Sequence, residues 1–128
     1  MEQDCPAGMH YFWDYASTTP FDFGSVDKIL DTNTSCALRD PGSETRPFFL
    51  VNNFITPPDP GAAARVNEMG MATTRLEDCS SANVDTPVNF FYVDYWSEGD
   101  VPEMTQTINA ERAARRLRRQ QRSLRVVN

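Results

Sequence analysis

A chain of 128 residues with 40% apolar content and nine prolines has room for one ordinary, loop-rich domain. A mean hydropathy of -0.52 and the lack of any run of about 18 apolar residues exclude a membrane-spanning helix. The net charge of -6 conceals a division, because residues 1–111 hold all 18 acids and five basic residues whereas residues 112–128 hold seven arginines and no acid.

The chain therefore divides into a body, residues 1–110, and an arginine-rich helix or tail, residues 111–128, that is a separate electrostatic object. The opening MEQDCPAG shows neither the basic start nor the apolar stretch of a signal peptide. Residues 9–23, MHYFWDYASTTPFDF, set six aromatics around His10 and Asp14. They hold no strict period, and the expectation is a short helical turn over 9–16 followed by extended loop. His10 reads most simply as a member of this aromatic shelf, since no nucleophile or carboxylate stands at a recognisable spacing. Residues 24–46, rich in Asp, Ser, Thr, Gly and Pro, read as loop with one helical turn over 26–30.

Residues 48–55, FFLVNNFI, form a strong strand signal between Pro47 and the Thr-Pro-Pro-Asp-Pro breaker. A helix is expected over 61–79, with Ala63, Val66, Gly70 and Leu76 toward the sheet. A second strand is expected over 88–96, with Val88, Phe90, Tyr92, Asp94 and Trp96 on one face and Asn89, Phe91, Val93 and Tyr95 on the other. Both faces are apolar, which is how a parallel strand covered on both sides reads. An ionised Asp94 within such a face would cost several kcal/mol unless paired, so its place near the strand's carboxyl end suggests the rim of a site. The plainer reading is a turn former. A last helix follows from 101 to about 122, with Asp100 as N-cap, Pro102 in the first turn and Met104, Ile108 and Ala113 inward.

Strand, helix, strand, helix with a crossover of about 30 residues gives parallel βα units. Two parallel strands leave edges and an apolar face unprotected, so an α/β fold larger than two strands is expected, closed as a barrel or wound as an open sheet. Cys5, Cys36 and Cys79 lack metal-ligand spacing, and neither a metal nor a cofactor is expected. They make one disulfide and one spare thiol in an oxidising compartment, or three thiols in a reducing one. Asn33-Thr34-Ser35 is a glycosylation sequon of low weight.

An ordered set of motifs resembles the phosphatidylinositol-specific phospholipase C-like phosphodiesterases of the X-domain, TIM-barrel type, in their C-terminal part. Trp13-Asp14-Tyr15 with Thr19-Pro20-Phe21 is similar to an aromatic segment ending in Glu-Thr-Pro-Phe, and Cys36 to Arg39 resembles a Cys-x-x-x-Arg stretch. Leu50-Val51-Asn52-Asn53-Phe54 is similar to Leu-Val-Asn-His-Phe. Asn67, Arg75 ahead of Cys79, the stretch from Pro87 to Tyr95 and Glu98-Gly99-Asp100 resemble the closing elements. The resemblance spans about residues 11–109. It implies the C-terminal βα units of a PLC-like TIM barrel, an incomplete barrel whose active-site mouth lies at the strands' carboxyl ends.

In that family two histidines act as base and acid on a phosphodiester, and a strand-end aspartate orients one of them. Asp94 matches the aspartate. The resemblance further implies a substrate pocket at Asn52, Asn53, Tyr92 and Trp96, a disulfide between Cys36 and Cys79, a phosphoinositide-like lipid or other phosphodiester as substrate, and an extracellular or cell-surface place. His10 matches neither catalytic histidine, Asn53 stands where the family has histidine, and Thr18 where it has glutamate. The chain alone is therefore expected not to turn over.

The tail places Arg112, Arg115, Arg119 and Arg122 on one helical stripe with Arg116 beside it, a pattern suited to an anionic membrane surface; nucleic acid fits less well against the acidic body. Two other readings compete with the phosphodiesterase piece: a non-catalytic module for phosphorylated headgroups or anionic membrane, and a small independent α/β domain.

Overall fold

The computed structural model describes residues 5–126. Three short strands, β1 (Ala16–Thr18), β2 (Phe48–Asn53) and β3 (Phe90–Val93), form one parallel sheet in the order β1-β2-β3. Its register pairs Thr18 with Leu50, Leu50 with Phe90 and Asn52 with Tyr92. The α/β reading and the parallel pairing of the two expected strands hold.

The third strand falls where loop was expected. A single turn of 3-10 helix, Phe12–Asp14, precedes it, and the backbone then extends because β2 offers partners: Phe48 N–H donates to Tyr15 O at 3.0 Å and Thr19 N–H to Leu50 O at 3.2 Å. All three β1 residues are buried. Tertiary pairing decides this strand, since Ala-Ser-Thr carries no alternation of its own.

Helix α1 (Val26–Leu30) is capped by Ser25, whose hydroxyl accepts from Lys28 N–H, and buries Val26 and Ile29. A second short helix, α2 (Thr32–Ser35), follows directly. The single helix expected over 61–79 is two, α3 (Pro60–Val66) and α4 (Met69–Ala82). Asp59 caps α3 through Ala62 N–H, and proline opens the first turn. The break comes at Asn67, which is fully buried; its N–H still closes α3 on Ala63 O, but its side chain and carbonyl turn outside the helix. Its amide donates to Asp94 O at 3.0 Å, and its carbonyl accepts from Asp100 N–H at 2.8 Å. Glu68 is extended (φ -63°, ψ 144°) and starts α4 afresh by accepting from Met71 N–H.

The strand expected over 88–96 is shorter. Asp94 lies just past β3, and Tyr95 turns left-handed at φ 47°, so Asp94 and Trp96 belong to a turn rather than to a strand face. The last helix, α5 (Val101–Val126), runs unbroken through the 110/111 boundary. Asp100 does more than precede α5, because its carboxylate accepts from Met69 N–H at the start of α4 at 2.9 Å.

One face of the sheet is well covered. Phe49 and Val51 of β2 pack with Leu76 and Cys79 of α4, and Phe91 and Val93 of β3 with Val101 and Met104 of α5. The disulfide joins Cys36, at the end of α2, to Cys79, and both are fully buried against this face. The opposite face is not covered in this way: Phe48, Phe90 and Tyr92 are 41, 44 and 59% exposed. The expectation that both faces of β3 are enclosed is corrected, since only the Phe91/Val93 side packs under helices.

Candidate functional site

A cavity of about 310 Å³ opens on the uncovered face at the carboxyl ends of the strands. Thr18, Asn52 and Tyr92 come from the ends of β1, β2 and β3, with Leu50 beneath them; Phe12, Trp13 and Phe21 form aromatic walls. Phe54 stands edge-on to Tyr92, ring centroids 5.7 Å apart. Arg39 supplies the one cation of this lining. Its backbone N–H donates to Thr18 O at 2.8 Å, and its guanidinium lies 4.8 Å from the centre of the Phe21 ring. Among the described residues no carboxylate stands within ion-pair distance of Arg39. A planar cation stacked on an aromatic face keeps its donors free for a second, oxyanionic partner.

Asn52 is locked from three directions. Its side-chain amide donates to Thr18 Oγ1 at 3.1 Å and Thr19 O at 2.9 Å, and its backbone N–H donates to Thr19 Oγ1 at 2.9 Å. Its carbonyl accepts from Arg75 Nη2 at 2.8 Å. Arg75, on α4, is 2% exposed and donates also to Ile29 O, Ser35 Oγ and Ser35 O. These partners are neutral, and desolvation by burial pushes its pKa down to about 10. The guanidinium thus staples α1, α2 and the end of β2 together, and so holds the floor of the cavity in place.

The four residues expected in the pocket separate. Asn52 and Tyr92 line it. Asn53 points to the helical side, where its amide donates to Val66 O at 3.1 Å and Asn67 Oδ1 at 3.3 Å, leaving its own Oδ1 buried without a partner. Trp96, in the turn after β3, is 69% exposed. Asp94 is half-buried directly after β3, at the same end of the sheet as the cavity, with its carbonyl held by Asn67. His10 lies at the other end: it accepts from or donates to the Tyr15 hydroxyl at 3.3 Å, and shares a shallow apolar recess with Phe48 at the start of β2. It cannot serve Asp94 from there.

A larger cavity, about 440 Å³, sits between Ser17, Phe49 and the α4–β3 loop. Its one charged group is Glu44, and it lies toward the amino ends of the strands, away from Asp94 and the other residues expected at the site. Arg39 is the residue that reasoning from the sequence left unassigned. Its signal was the Cys36-to-Arg39 spacing, which became meaningful only once the loop was pinned to β1. Among the described residues no cluster of three or more His, Cys, Asp or Glu side chains forms a metal site. No protein-family model matches the chain, and no curated protein or solved structure matches it.

Proposed function

We propose that this chain supplies the last βα units of a parallel barrel of the phospholipase C-like phosphodiesterase kind, and that its part is to hold a phosphate ester in the Arg39 cavity. The observation that carries the reading is the free guanidinium of Arg39 beside Asn52 and Tyr92 at the strands' carboxyl ends. Arg39 would take two phosphate oxygens, and the aromatic walls would receive the ring or glycerol part of the ester. Asp94, at the same end, would orient an imidazole contributed by other barrel strands.

Three features support the barrel. The strands are parallel and follow one another in sequence order. The packed helices α4 and α5 lie on one face, as in a singly wound barrel, whereas a doubly wound sheet uses both. The Cys36–Cys79 bridge is the one that the resemblance implies. A buried disulfide also suits an oxidising compartment, which agrees with an extracellular or surface place.

With its single histidine at the opposite end from Asp94, the chain by itself binds the ester and does not cleave it. Titration of the full chain with myo-inositol 1-phosphate, followed by tryptophan fluorescence, tests this. Saturable binding is expected, weakened about tenfold or more in Arg39→Gln, because a charge-assisted bond to phosphate is worth about 1.5–3 kcal/mol. Equal binding by Arg39→Gln would overturn the assignment.

A further inference from the structure

Helix α5 leaves the body at a definite point. It starts beyond the carboxyl end of β3, packs Val101 and Met104 under Phe91 and Val93, and reaches back until Arg112 Nη1 donates to Val88 O at 3.1 Å, two residues before β3 begins. The remaining residues, 113–126, continue past the amino ends of the strands for about 21 Å. Every residue from 109 to 125 is exposed except Ala114, which is half-buried.

This projecting segment is divided lengthwise. At 3.6 residues per turn, Arg115, Arg116, Arg118, Arg119, Arg122 and Arg125 all fall within one half of the circumference. The other half carries Ala113, Ala114, Leu117 and Leu124 with two glutamines, and no charge. Leu117 and Leu124 are 59 and 71% exposed. The last acid is Glu111, which spans 3.9 Å to Arg115 in a pair of little consequence at 61 and 70% side-chain exposure. Glu77 of α4 borders the recess that Arg112 and Arg115 share with Glu111, but the segment's reach exceeds twice the screening length of about 8 Å at physiological salt, so the acidic body does not cancel the field of its outer arginines.

We infer that residues 113–125 form an interfacial anchor that lies on an anionic lipid surface, with Leu117 and Leu124 entering the headgroup boundary and the flanking arginines reaching lipid phosphates. Charge complementarity selects an anionic partner. The leucines select a bilayer among anionic partners, because a basic helix that tracks nucleic-acid phosphates has no use for two bare leucines on its uncharged side, whereas an interfacial helix requires them. A second copy of the helix is opposed by arginines along both margins of the leucine seam. The anchor stands at the pole opposite the Arg39 cavity. It therefore tethers the protein and does not share one headgroup with the cavity, an inference independent of the phosphodiesterase reading.

The test is co-sedimentation of the full chain with phosphatidylcholine vesicles, with and without phosphatidylserine, at low and high salt. Binding is expected only to the phosphatidylserine vesicles and falls as salt rises. Arg116→Gln, Arg119→Gln and Arg122→Gln each weaken it about fivefold, and Leu117→Ser with Leu124→Ser weakens it about tenfold or more. Thermal melts of these variants should match the wild type, since every substituted side chain is exposed. Absence of binding at low salt, equal binding to neutral vesicles, or loss of arginine dependence would overturn the inference. So would a short DNA duplex binding more tightly than the vesicles and indifferently to the leucine changes.

Discussion

A side chain at Gly99 would run into Asn67: a Cβ there would stand 2.6 Å from the Asn67 carbonyl oxygen. That oxygen accepts from Asp100 N–H at 2.8 Å, so the β3–α5 turn is pressed against the α3–α4 break with no room between. Gly99 is also left-handed at φ 85°, where alanine is strained.

Gly99→Ala is therefore expected to cost about 2–4 kcal/mol. A chemical-denaturation midpoint measures it; a change below about 0.5 kcal/mol would mean that the two turns do not touch.

Asp94 should behave differently, because Asn67 holds its carbonyl and not its carboxylate. Asp94→Asn keeps that carbonyl and is expected to change stability by less than about 0.5 kcal/mol. Asn67→Ala removes the bonds of a fully buried side chain to Asp94 O and Asn53 Nδ2, and should cost about 3 kcal/mol or more. Similar losses in both variants would make Asp94 a structural group and remove it from the site.

Arg75 is expected to be worth more as a staple than its charge costs. Arg75→Met leaves Ser35 O and Asn52 O without the guanidinium donor and Ile29 O with the Ser35 hydroxyl alone, a loss of about 3–5 kcal/mol. The pKa of about 10 in the folded chain lies below the ordinary value for arginine. Below about pH 10 both folded and unfolded chains keep the proton, and the group adds no slope. Between the two values the unfolded chain binds the proton more, so stability from this group rises with pH. The wild-type and Arg75→Met stabilities should differ by a constant amount from about pH 6 to 9 and diverge above about pH 10; a gap that changes across neutral pH would contradict the assignment.

The disulfide closes a loop with a sequence separation of 43, for which chain entropy predicts about 4 kcal/mol. Thermal melts with and without reductant should differ accordingly, and Cys36→Ala/Cys79→Ala should melt like the reduced protein. Thiol titration of the denatured, unreduced chain should count Cys5 alone.

How far the amino-acid sequence revealed the fold depended on where each signal was local. The strand expected over 48–55 was legible because Phe48, Phe49, Leu50 and Val51 form a dense apolar run between prolines, and it ends two residues sooner, at Asn53. Helix α5 was legible from Pro102 and its inward Met104 and Ile108, whereas Ala113, also expected inward, is exposed because the helix has left the body there. The β1 strand was not, because Ala16, Ser17 and Thr18 become a strand only when Tyr15 and Thr19 meet β2. The α3–α4 break was hidden for a similar reason: Asn67 looks like an ordinary helix residue until Asp94 and Asp100 arrive to take its hydrogen bonds. The resemblance implied that Asn52 and Asn53 would both serve a pocket, but consecutive strand residues face opposite ways, and only Asn52 opens on the cavity. Arg39 became part of the site through a loop pinned to Thr18, a contact that no periodicity encodes.

An amide-resolved NMR titration with myo-inositol 1-phosphate puts the most weight on the central claim. The perturbed amides should cluster at Thr18, Arg39, Asn52 and Tyr92, and vanish in Arg39→Gln. Perturbations confined to the arginines of α5, or centred on His10 and Tyr15 at the opposite end of the strands, would contradict it.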